Sequence, residues 1–96
     1  MKIHDKSISL EVNTQVTEVV DEMTSSPEEI FRLSVPTGAK ILKNEMGLKL
    51  LKEKAQQFNK KLVWLTDDEL GKILLAKVGF IVKPITKTRP ESDYFE

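Results

Sequence analysis

Three stretches of the chain hold residue types suited to recognising an anion or a small substrate. Asn13 and Thr14 follow an alternating apolar run. Thr37, Gly38 and Lys40 follow Leu33-Ser34-Val35-Pro36. Thr66 and Asp67 follow Leu62-Val63-Trp64-Leu65. Each lies where an extended segment gives way to a helical one. The first N–H groups of a helix have no backbone partner and point at whatever precedes them, so phosphates settle at such junctions. Gly38 lets a ligand approach the backbone closely. Thr14 and Thr37 offer hydroxyls, and Lys40 a positive charge. The middle stretch is still not a P-loop, because G-x-x-x-x-G-K-[ST] requires a second glycine and a hydroxyl after the lysine. Here Ile41 follows Lys40. The dinucleotide fingerprint G-x-G-x-x-G does not occur either.

Other chemistry has a thinner cast. Asp67 and Asp68 stand after an apolar strand, as acidic Mg²⁺ sites do, but such sites gather carboxylates from several strand ends. Asn13 is neutral and the second strand end supplies no acid, so these acids read as the first turn of a helix, where negative charge is favourable. His4 is the single histidine and there is no cysteine, which leaves no ligand set for a transition metal. The serines lack a base and a G-x-S-x-G context. Neither an enzyme nor a cofactor is expected.

The elements that position these residues follow from periodicity. Ser7–Val12 alternates polar and apolar, as a half-buried strand does. Asn13 suits an N-cap, and Val16, Val19, Val20 and Met23 form one stripe of a helix over 14–23. Ile30–Val35 is a second strand. A long helix is expected over 38–58, and its apolar residues fall into two sets: Ala39, Leu42, Met46 and Leu50, against Ile41, Leu48, Leu51, Ala55 and Phe58. Either the helix breaks near Asn44-Glu45-Met46-Gly47, or Ile41, Leu48, Leu51 and Phe58 face another subunit. Leu62–Leu65 is a continuous apolar strand. Thr66-Asp67-Asp68-Glu69 matches a capping box for a third helix that ends at Gly79. Phe80–Val82 is a short fourth strand. The order β-α-β-α-β-α-β implies a small three-layer, Rossmann-like or flavodoxin-like α/β domain over 1–85, with four mostly parallel strands in the order 2-1-3-4 and a polar tail over 86–96.

Composition fits one globular domain: 96 residues, 40% apolar and 31% charged. No run of about 18 apolar residues spans a membrane, and the start of the chain does not resemble a signal peptide. The lack of cysteine fits a cytoplasmic setting. Net charge is zero but polarised. Residues 1–39 hold three basic and seven acidic side chains, and residues 40–96 hold twelve and eight. Seven lysines lie between Lys40 and Lys61. They spread around a helix with no arginine beside them, so a solvated face is a better reading than nucleic-acid binding.

The stretch Val35-Pro36-Thr37-Gly38-Ala39-Lys40-Ile41-Leu42-Lys43-Asn44, with Gly47–Lys52, Leu62–Asp68 and Leu75–Phe80, resembles small Rossmann-like domains of bacterial proteins that often precede a membrane anchor. The resemblance spans about residues 7–82 and rests on strand ends, a broken helix and a cap. It implies a cytosolic interaction domain and carries no activity with it. The expected function is a non-catalytic protein-interaction or self-assembly module, with a protein partner or a second copy bound. The alternative is a nucleotide- or small-anion-binding domain at Asn13, Thr14, Thr37, Gly38, Lys40, Thr66 and Asp67.

Overall fold

The computed structural model describes residues 5–83. His4 and the expected tail at 86–96 lie outside the described residues. The elements run β1 (Asp5–Ser9), α1 (Val16–Ser25), β2 (Ile30–Ser34), a 3-10 turn (Lys40–Lys43), α2 (Glu45–Gln57), β3 (Lys61–Leu65), α3 (Glu69–Val78) and β4 (Ile81–Lys83). All four strands are parallel, so the α/β class and the parallel sheet expected from the sequence are present.

The strand order is not the expected one. It is β1-β2-β3-β4 rather than 2-1-3-4. The reason lies in β1. Its residues Asp5, Ser7 and Ser9 are polar and exposed, so β1 cannot take the position covered on both faces that 2-1-3-4 would give it. When strands are added in sequence order through right-handed crossovers, every helix falls on the same side. The domain accordingly has two layers, not three. Phe31, Leu33, Leu62 and Trp64 face the helices and join one core with residues from α1, α2 and α3. By register, the other face presents Arg32, Val63 and Ile81 in one row and Ser34, Leu65 and Lys83 in the next.

The expected long helix breaks at Asn44. The Asn44 side chain caps α2 by accepting the Gly47 N–H at 2.9 Å. The break turns the two apolar sets differently. Ile41 and Leu42 are buried before it. After it Leu48, Leu51 and Ala55 enter the core, while Met46 and Leu50 point outward. The expectation that Ile41, Leu48 and Leu51 face another subunit is therefore corrected, since they are 2%, 0% and 0% exposed within this chain. Phe58, at the C-cap of α2, remains 45% exposed. Gly47 allows close approach rather than breaking the helix. A Cβ there would lie 2.7 Å from Val16 Cγ2 of α1 and 2.6 Å from the capping Asn44 amide.

Candidate functional site

The carboxyl ends of the strands bring the three expected junctions to one edge. Backbone bonds tie them together. Leu10 N–H donates to Ser34 O at 2.8 Å, Val35 N–H to Leu65 O at 2.9 Å, and Thr66 N–H to Lys83 O at 3.1 Å. Lys40 N–H reaches across to Val12 O at 2.9 Å. Pro36, Thr37, Gly38 and Ala39 make a turn closed by Ala39 N–H to Pro36 O at 3.2 Å. Gly38 has φ +85°, the left-handed backbone that a type II turn requires in its third position.

The centre of this edge is Asp68, which was not among the expected site residues. One of its carboxylate oxygens accepts the Gly38 N–H at 2.8 Å. The other accepts the Gly71 N–H at 2.8 Å and so caps α3. Asp68 N–H donates in turn to Thr66 Oγ1 at 3.1 Å. The Gly38 and Gly71 N–H bonds hold the Asp68 carboxyl below its ordinary pKa, and the charge of Lys43 helps. The N–H of Gly38, which an external anion would have to meet, already has an anionic partner from within the chain.

The other expected residues fall around this bond. Thr66 is fully buried and is not the cap of α3; the helix starts later, after Asp68, so the capping box expected from Thr66 does not form. Asn13 is exposed and is not the cap of α1. Gln15 stands there, its N–H bonded to the Glu18 carboxylate at 3.0 Å. Thr14 Oγ1 accepts the Glu11 N–H at 2.8 Å. Thr37, Lys40 and Asp67 are exposed. The signal for Asp68 was present in the sequence as Asp-Glu-Leu-Gly, an Asp three residues before a Gly whose N–H it can take.

In open α/β sheets, ligands enter a crevice where the strand order reverses. The order β1-β2-β3-β4 contains no reversal. A concavity lies instead at the sheet edge. It is a groove of about 280 Å³ between β1 and α1, bordered by Glu11, Glu18 and Glu22. Among the described residues no group of three metal-ligating side chains gathers, and no helix is long and apolar enough to cross a membrane.

The lysines of 40–61 divide by role. Lys60 Nζ donates to Ser26 O at 2.9 Å and Glu28 O at 2.6 Å and sits 5.6 Å from the centre of the Phe31 ring. Lys52 Nζ donates to Gly79 O at 3.0 Å and lies 5.6 Å from the Phe80 ring centre. These two hold loops in place, whereas Lys40, Lys43, Lys49 and Lys61 are exposed. The chain matches no protein-family model, no curated protein and no solved structure.

Proposed function

We propose that this domain is a non-catalytic interaction or self-assembly module that docks a protein surface on the uncovered face of its sheet. One observation carries the reading. Parallel sheets occur almost only with both faces covered, and here the described helices cover one. The open face bears Ile81, which is 41% exposed, and the half-buried Leu65 beside Lys83 by register, while Val63 beside Ile81 is 9% exposed. Apolar side chains flanked by charge are the usual composition of a docking surface. A cytoplasmic setting fits the absence of cysteine from the sequence.

The nucleotide- or anion-binding alternative has less support. Asp68 occupies the Gly38 and Gly71 N–H groups, and the sheet has no switch point. Nucleic-acid binding through 40–61 is weakened because Lys52 and Lys60 are spent on loop carbonyls.

Sedimentation velocity over micromolar concentrations tests the proposal. The wild type is expected to associate, and Ile81→Lys and Leu65→Lys to remain monomeric with unchanged circular dichroism. A wild type that stays monomeric throughout, indistinguishable from both variants, overturns self-assembly through this face.

A further inference from the structure

We propose that the groove between β1 and α1 docks an extended segment with basic side chains at alternate positions, which joins the sheet as a strand beside β1. This site is separate from the uncovered face and stands or falls independently of it.

The backbone supplies the first argument. Leu10 N–H is bonded to Ser34 O of β2. Backbone groups of successive strand residues point to opposite sides, so Lys6, Ile8 and Leu10 turn theirs toward β2. Ser7 and Ser9 then present N–H and C=O groups outward, where no described strand pairs with them. A strand edge of this kind is a template for an added strand.

Side chains supply the second. Ile8, Leu10 and Val19 line the groove together with Glu11, Glu18 and Glu22. Lys6 Nζ binds Glu22 at 2.7 Å, so the groove keeps a negative excess. Glu18 and Glu22 are four residues apart on α1, a rise of about 6 Å. Alternate residues of a strand are about 6.6 Å apart. Consecutive groove-facing side chains of an added strand thus match the two positions in spacing, one meeting Glu18 and the next taking the place of Lys6 at Glu22. A second copy pairing β1 against β1 would set these glutamates against themselves, so charge selects a basic occupant.

The test uses the full chain and two synthetic peptides of identical composition, one alternating lysine with threonine and one with all its lysines in a block. Calorimetry is expected to show the alternating peptide binding at least tenfold more tightly, and hydrogen exchange to slow at the Ser7 and Ser9 amides. Glu18→Lys/Glu22→Lys should abolish binding, and Ser7→Pro should weaken it with every carboxylate retained. Ile81→Lys, on the uncovered face, should leave it unchanged. Equal affinity for the two peptides, no binding, or wild-type exchange at Ser7 and Ser9 with peptide bound overturns the proposal.

Discussion

Val63 and Trp64 are neighbours in β3, yet they belong to different environments. Trp64 is fully buried under the helices, its ring 5.2 Å from that of Phe80. Val63 points the other way, onto a face shared with Arg32 and Ile81; it is 9% exposed but lies outside the main core cluster, and Ile81 is the exposed apolar residue beside it. The covered face is apolar across β2 and β3, with Phe31 and Leu33 beside Leu62 and Trp64. The uncovered face mixes Val63 and Leu65 with serines, an Arg32–Asp5 ion pair and Lys83. The difference separates what holds the fold from what is left for a partner. Burial that has already been used stabilises the monomer; exposed apolar area beside charge is available for binding.

The largest effect that can break this comparison is a truncation on each side. Trp64→Ala is expected to cost about 3–5 kcal/mol in chemical denaturation, whereas Ile81→Ala should change stability by less than about 0.5 kcal/mol. Similar losses at both positions would erase the distinction between the faces. Next comes the contact that lets α1 and α2 lie together over the sheet. Gly47→Ala should destabilise by about 1–3 kcal/mol through crowding against Val16 and Asn44, although alanine is the better helix former by about 1 kcal/mol. A gain in the urea midpoint would show that this approach is looser than described.

Asp68→Ala should cost about 1–2 kcal/mol, as loss of a helix cap does. Its pH dependence has a definite sign. The folded pKa is depressed, so the stabilisation is fully present above the ordinary value of 3.8 and is lost as pH falls through the lower folded value. The gap between wild type and variant in urea titrations should therefore close below that pH, and a gap independent of pH would contradict the role given to the carboxylate. The smallest effect belongs to the uncovered face. Arg32→Gln, which removes an exposed ion pair with Asp5, should shift stability by less than about 1 kcal/mol. A larger loss in thermal denaturation would mean that this face also holds the fold.

Much of the architecture was legible in the sequence because each element has its own periodicity. The alternation of strands and helices, the break at Asn44 and the end of α3 at Gly79 all follow from local chemistry. Strand order did not, because it depends on how far each strand is covered. The clue was Ser7-Ile8-Ser9, whose polar alternate positions mark a strand covered on one face only. The role of Ile41, Leu48 and Leu51 was missed for a related reason: an apolar stripe shows that a surface is covered, not by what. At the candidate site, Thr66 and Asp68 both suit a cap. The local bond from Gly71 N–H to Asp68 decides between them; what local spacing does not show is that the same carboxylate also takes the Gly38 N–H, thirty residues away in the chain.

The bond from Gly38 to Asp68 also bears on competition. A carboxylate carried on the same chain is present at a fixed effective concentration, on the order of millimolar or more for a short tether, and dilution does not lower it. An external phosphate would have to outcompete a resident that never diffuses away, and would bring its own negative charge up against that carboxylate. The loop is in this sense a lock shipped with its key already turned.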